Sequence, residues 1–211
     1  MTTSSLRALP TDVLWSADRL QIASWTATST VDWPGRTVLT VCLQGCPWDC
    51  TSCETPELRD SMRQGTVRWH EVRDVLLRSR GGLDGVVFSG GEPTRQDGLA
   101  DAMEQVRALG LPVALHTSGS YPQRLAAVLT MADRVVMEIK APATRYRAVT
   151  GVGSSAHKAF ASLRLVLDAG VELQVRTTVD PAVLSPSDVA SLRQNLAAMG
   201  VRDHVVVDPQ A

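Results

Sequence analysis

The chain has 211 residues, a length that fits one domain of generous size, with a core large enough to fold without staples. At 44% hydrophobic and 20% charged residues it has an ordinary globular composition, which excludes a disordered or fibrous chain. Its 21 basic and 22 acidic residues leave a net charge of −1, so no global field draws it to nucleic acid or to an anionic membrane.

The most apolar runs, Val38–Leu43 and Val205–Val207, fall far short of the roughly 20 residues a membrane-spanning helix needs. Met1–Arg7 shows no basic stretch leading into an apolar one, so we expect a cytoplasmic protein without a secretory signal.

Residues 1–19 mix polar and apolar types without a period and read as a loosely attached N-terminal segment. Leu20–Thr30 alternates with Trp and β-branched residues, and Asp32-Trp33-Pro34-Gly35 supplies a turn. Thr37–Leu43 is a buried-strand run ending at Gly45, where a cysteine-bearing loop follows directly.

A regular alternation then begins. Helices are expected over Thr66–Arg80, Leu99–Leu109 (stopped by Gly110), Pro122–Met131, Ser154–Ala169 (stopped by Gly170) and Ser187–Met199 (ended by Gly200). Between them stand short apolar strands over Gly85–Phe88, Val113–Leu115, Val135–Ile139, Val171–Val179 and His204–Val207. Strands this apolar have no wet face, which indicates a parallel sheet covered by helices. Right-handed crossovers bring every strand's C-terminal end to one edge. A closed eight-unit barrel takes about 250 residues. The fold expected here is therefore an α/β open partial (βα)6 barrel of parallel strands with helices outside, a flat doubly wound sheet being the alternative.

The chemistry is concentrated in Gly45-Cys46-Pro-Trp-Asp-Cys50-Thr-Ser-Cys53. All four cysteines of the chain lie between Cys42 and Cys53, whereas a disulfide framework would spread them to close long loops. Three thiolates at C-x3-C-x2-C spacing can hold three irons of a 4Fe–4S cluster and leave the fourth open. Structural zinc is the competing reading, but zinc prefers four ligands as two separated pairs, and no second pair exists. Cys42, within the strand, would close the open site if it were a ligand, and reads as core packing.

This loop resembles the cluster motif of radical S-adenosylmethionine (SAM) enzymes. Its flanks, Val31-Asp-Trp-Pro-Gly-Arg36 and Thr55-Pro-Glu-Leu58, are similar to one branch, the activating enzymes of anaerobic ribonucleotide reductases and related glycyl-radical enzymes. The similarity runs from about residue 20 to the end, which makes residues 20–211 the radical SAM core domain and 1–19 an N-terminal segment. By that resemblance Cys46, Cys50 and Cys53 are the cluster ligands and SAM chelates the unique iron.

The same resemblance assigns SAM contacts. Ser89-Gly90-Gly91-Glu92-Pro93 looks like the family's Gly-Gly-Glu-Pro element, in which the glycines let backbone acceptors reach the methionine amine and Glu92 stands at the mouth for an ammonium group. Thr117-Ser118-Gly119 resembles a Thr-Asn-Gly loop. Glu138-Ile-Lys140 resembles an Asp-x-Lys, with Lys140 placed to pair with the methionine carboxylate. Arg176, on an otherwise apolar strand, needs a partner and is assigned to SAM or to substrate backbone.

The sequence departs from the family pattern at Ser52, where an aromatic is common, at Glu54-Thr55 in place of His-Asn, and at His116, where related activating enzymes have aspartate. The implied activity is reductive cleavage of SAM to a 5′-deoxyadenosyl radical that abstracts hydrogen from a glycine of a partner, an anaerobic ribonucleotide reductase or similar glycyl-radical enzyme. A one-electron donor such as flavodoxin or ferredoxin would feed it. A small-molecule radical SAM enzyme with the same core, and a non-catalytic iron–sulfur or zinc module, are the alternatives.

Other features carry no chemistry at this level. Gly151-Val-Gly153-Ser-Ser-Ala156 matches a dinucleotide fingerprint but follows no strand, and reads as a loop before a helix. His70, His157 and His204 read as structural. The Trp residues at 15, 25, 33, 48 and 69 do not interleave with a basic run, so no base-stacking platform is expected.

Overall fold

A computed structural model describes residues 16–79 and 81–207. Trp15 and most of the N-terminal segment lie outside the described residues, as does Arg80, the expected end of the first helix.

The strands are β1 (Ile22–Ser29), β2 (Val38–Leu43), β3 (Gly85–Gly90), β4 (Val113–Thr117), β5 (Arg134–Glu138), β6 (Glu172–Thr178) and β7 (His204–Val207). The helices are α1 (Trp69–Arg78), α2 (Leu99–Ala108), α3 (Pro122–Val128), α4 (Tyr146–Thr150), α5 (Ser155–Ala169) and α6 (Pro186–Ala198). One sheet runs in the order β1 to β7, so each strand pairs with its sequence neighbours and β1 and β7 are left as edges. From β2 onward every pair is parallel, with helices in every crossover. The expected open α/β partial barrel with six parallel strands is the fold observed.

Two elements were not foreseen. β1 joins β2 antiparallel, adding a seventh strand to the edge. The five-residue α4 fills the stretch before α5, and Gly151 ends it in the left-handed region at φ 73°. The first glycine of the apparent dinucleotide fingerprint is thus a helix stop. Part of the N-terminal segment is also more firmly placed than its sequence indicated. Ala17 is fully buried, and its amide donates to Asp101 Oδ2 on α2 at 2.7 Å.

The pleat gives the sheet two unlike faces. Leu39, Val41, Leu43, Val86, Phe88, Val113, Leu115, Val135, Met137 and Val175 join the helices in the main core. On the concave face Val38, Val87 and Ala114 pack beneath Trp33 in a second, smaller apolar cluster at the N-terminal end of the strands. Toward their C-terminal ends the same concave rows turn polar, through Thr40, Ser89, His116, Glu138 and Arg176. Trp33 is thus the floor of a cup whose walls become polar toward the edge where the chemistry is expected. No helix among the described residues is long and apolar enough to cross a membrane.

Candidate functional site

The cysteine loop leaves β2 through Gly45, whose φ of 94° lies in the region that favours glycine. Its path is held by backbone hydrogen bonds. Gly45 N donates to Leu58 O at 2.7 Å and Cys46 N to Arg59 O at 3.0 Å. Asp49 N and Thr51 N reach across to Thr150 O and Val149 O, at 3.1 and 2.9 Å. Trp48 is buried edge-on against Tyr146, with ring centroids 5.8 Å apart. The hydrogen bonds and this aromatic contact tie the loop to α4, and Cys46, Cys50 and Cys53 all line the cleft above the sheet.

None of the three is in a disulfide. Burial pushes the Cys46 thiol up to about 12. The Cys50 thiol is raised by burial too, with Lys140 pulling it the other way. Burial in the protein alone therefore favours the protonated thiol at Cys46 and Cys50, and a metal bound there would displace those protons.

Gly90 and Gly91 also line the cleft, where β3 ends. Their lack of a side chain has a second purpose. A Cβ on Gly91 would stand 2.5 Å from Gly45 O and 2.9 Å from Leu58 O. The β3 end and the cysteine loop interlock there, through Gly91 N to Leu43 O at 2.9 Å and Glu92 N to Gly45 O at 3.0 Å.

Glu92 is not at the cleft mouth. It has no exposed surface, and its carboxylate accepts from Thr94 N (3.0 Å), Thr94 Oγ1 (2.5 Å) and Thr117 Oγ1 (2.8 Å) on one oxygen. The other oxygen accepts from Ser118 N (2.8 Å) and Ser118 Oγ (2.5 Å). The placement at the mouth is corrected: this carboxylate is spent inside the protein, joining the ends of β3 and β4. Thr117 and Ser118 line the cleft while their hydroxyls serve Glu92.

At the ends of β5 and β6 the charged residues pair with one another. Lys140 Nζ donates to Glu138 Oε2 at 2.9 Å. Burial works against the Lys140 ammonium, but Glu138 outweighs it and holds its pKa above the ordinary lysine range. Arg176 Nη2 donates to both oxygens of Glu54, at 2.9 and 3.1 Å, and Thr178 Oγ1 donates to Glu54 at 3.3 Å. Arg176 Nε lies 3.4 Å from Glu138 Oε1, an ion-pair contact without the alignment of a hydrogen bond. Glu54, visible in the sequence only as a departure from a family pattern, thus clasps the cysteine loop to β6.

Cys42 also needs correction. Thr40 and Cys42 stand opposite Thr26 and Ser24 of β1, and Cys42 is partly buried on the cleft wall instead of being packed in the core. Burial and the Asp32 charge raise its pKa, against a hydrogen bond with Ser24. Asp32 is more than a turn residue: Thr40 Oγ1 donates to its carboxylate at 2.6 Å, and His116 Nε2 lies 3.2 Å from its backbone oxygen. His116 Nδ1 faces Ser89 Oγ at 3.4 Å, and burial lowers the histidine pKa. A neutral ring donating from Nε2 and accepting at Nδ1 satisfies both neighbours. The remaining histidines stand apart, His70 and His157 exposed on helices and His204 against Thr177 Oγ1 at 3.0 Å on β7.

The cleft encloses about 330 Å³. Among the described residues no three His, Cys, Asp or Glu side chains converge on a point for a single metal ion. Cys46, Cys50 and Cys53, with Cys42 on β2, put free thiols on one cleft, the soft donor type that an iron–sulfur cluster takes. Ser52 Oγ, at the cleft wall, and Arg176 Nε are buried without a hydrogen-bond partner, which leaves polar atoms ready for a bound molecule. The residues present fit an iron–sulfur cluster with a zwitterionic ligand beside it.

The fold is shared with known proteins. A provisionally named glycyl-radical enzyme activating enzyme of Methanocaldococcus jannaschii is 22% identical over 175 residues, covering 80% of this chain and 72% of that protein. Among solved structures, Streptococcus suis SuiB bound to S-adenosylmethionine superposes with a TM-score of 0.64 at 13% identity over 78% of this chain. The structure of anSMEcpe with bound AdoMet gives a TM-score of 0.64 at 18% identity over 78% of the chain. The match spans only 38% and 48% of those two chains, so the likeness is one of fold. The Radical SAM superfamily matches residues 40–187, most of the parallel sheet and the whole cysteine loop, and the chain belongs to that superfamily.

Proposed function

We propose that the protein is a glycyl-radical enzyme activating enzyme, acting on an anaerobic ribonucleotide reductase or a similar partner. The observation that carries the reading is the cleft itself. Free thiols, those of Cys46, Cys50 and Cys53 with Cys42 beside them, a polar concave wall and two paired cations line one cleft at the edge of a sheet whose end strands β1 and β7 do not pair, an arrangement that suits a peptide loop as substrate. The distant archaeal relative supports the same partner class.

In this reading Cys46, Cys50 and Cys53 hold a 4Fe–4S cluster, and residues 20–211 make up the catalytic domain. When bound, the cluster and SAM together supply reductive carbon–sulfur cleavage, the source of a 5′-deoxyadenosyl radical able to take a glycine α-hydrogen. The chain's own groups orient and exclude water. Gly90 and Gly91 offer backbone to the methionine amine, and Thr117 and Ser118 set that wall. Lys140 and Arg176 offer cations to a carboxylate, with Glu138 holding both in place. Glu92 acts through Thr117 and Ser118, and is a positioning residue.

Anaerobic reconstitution with iron, sulfide, SAM and dithionite tests the reading. It requires 5′-deoxyadenosine, and a glycyl radical by EPR only when the partner enzyme is added. Reduced protein that makes no 5′-deoxyadenosine would refute it, and cleavage without any partner radical would remove the activating role.

A further inference from the structure

We propose that a basic groove on the outer side of the cysteine loop is the docking surface for an acidic one-electron carrier protein. The inference rests on the reading of that loop as a redox cluster site. The chain as a whole is almost neutral, yet a groove of about 440 Å³ is lined by Arg19, Arg95 and Arg124 against a single acid, Asp97. Asp97 is occupied by Arg124 at 2.8 Å. Among the described residues no carboxylate pairs with Arg19 or Arg95. Tyr121 forms one wall, and Lys158 lies 5.9 Å from its ring centroid, adding a fourth cation at the rim.

The groove is separate from the cleft but touches the same loop. None of its lining residues lines the cleft. Arg95 Nη2 donates to Ser61 O at 3.4 Å, and Ser61 Oγ donates to Cys46 O at 3.5 Å. The basic surface therefore reaches the backbone of the first cysteine, while the thiol itself faces the cleft. A carrier seated there does not compete with SAM or with a peptide entering the cup.

Chemistry requires such a seat. The proposed reaction consumes one electron per SAM cleaved, and no group of the chain can generate it. One electron leaves the carrier's reduced flavin or iron–sulfur centre and reduces the protein's cluster by one charge; no bond and no proton is transferred. Arginines in excess of the groove's one acid among the described residues steer a negatively charged protein and set its orientation.

The test uses the reconstituted holoprotein and a fluorescently labelled, reduced flavodoxin as probe. Binding is read by anisotropy at low and high salt, and cluster reduction by freeze-quench EPR. Arg19→Glu should weaken binding and slow reduction by about fivefold or more, with a shallower salt dependence. Arg124→Gln should do the same to a smaller extent, and the double variant more than either. SAM cleavage driven by dithionite should be unchanged in all three. Arg193→Glu, on the exposed face of α6, is the control for general charge loss and should bind as the parent protein does.

Flavodoxin binding unchanged in the groove variants, or weakened equally by Arg193→Glu, would overturn the proposal. So would variants that lose only the glycyl-radical partner, since the groove would then belong to that enzyme. If the parent protein loads no cluster and dithionite yields no 5′-deoxyadenosine, the functional reading itself falls. Normal dithionite chemistry with unaltered flavodoxin binding defeats the docking surface alone.

Discussion

Glu92 shows how a residue with a recognisable motif position can do different work from the one its motif implies. Both its oxygens are saturated by Thr94, Thr117 and Ser118, with no exposed surface left. Hydrogen bonds to a charged group contribute about 1.5–3 kcal/mol each, and a donor forced against donors leaves both unsatisfied. Glu92→Gln puts an amide NH2 against either Ser118 or Thr94 and Thr117. We expect it to lower unfolding stability by roughly 3 kcal/mol, read as a reduced urea midpoint. Ser118→Ala removes one side-chain donor and should cost about 1 kcal/mol. A Gln variant as stable as the parent would show that the carboxylate is not the joint between β3 and β4.

His116 makes a pH prediction at the same scale. Burial disfavours its imidazolium, so the folded pKa lies below the ordinary value of about 6.5. On acidification the unfolded chain takes up this proton first. The stability His116 contributes is therefore complete above about pH 6.5 and is lost as pH falls from there toward the folded pKa. Urea midpoints between pH 8 and pH 5 should fall on the acid side in the parent protein. In His116→Gln that fall should be shallower, though not absent, because His204 is lowered by burial as well. An unchanged slope would mean that His116 is not held neutral.

At the scale of elements, the joint between β3 and the cysteine loop decides whether the thiols are placed. Gly91→Ala would drive a Cβ to 2.5 Å from Gly45 O, which is backbone and cannot swing aside as a side-chain tip can. The loop must shift or the strand end must open. We expect Gly91→Ala to reduce bound iron and sulfide per chain after reconstitution, with the urea midpoint lowered by less than in Glu92→Gln. Gly35→Ala is the contrast, since nothing lies within 4 Å of its added Cβ and only the φ of 78° is strained. Iron content should survive there. Much of this layer was legible in the sequence, because apolar strands and glycine-stopped helices follow from local periodicity and capping. The antiparallel β1 was not, since an alternating run does not say which way its partner points. Nor was the Glu54 clasp, whose partner Arg176 stands 122 residues away. Cys42 was misplaced because a strand residue's type does not say which face of the pleat it occupies. Its register opposite Ser24 does.

Among the described residues the sheet forms a cup whose end strands β1 and β7 do not pair, clasped at the rim and stopped at the base. The clasp is Glu54 on Arg176 and Thr178, and the stopper is Trp33, 3% exposed over Val38, Val87 and Ala114. Arg36 covers the indole from outside, 4.6 Å from the ring centroid. A half-barrel cannot fill its own axis with side chains as a closed barrel does, so one large ring has to seal the end away from the chemistry. Trp33→Ala should cost about 3–5 kcal/mol, the range for emptying a buried aromatic site. Trp33→Phe should cost distinctly less, because most of the ring's packing survives. The variants also separate packing from sealing. With the base opened, water reaches the polar wall of Asp32, Thr40 and His116, and protection of the amides near the ends of β2 and β4 from hydrogen exchange should drop in Trp33→Ala. Exchange at α5, on the convex face, should change only as far as global stability falls. Equal loss of protection on both faces would show that Trp33 supports the fold as a whole, with no particular hold on the base of the cup.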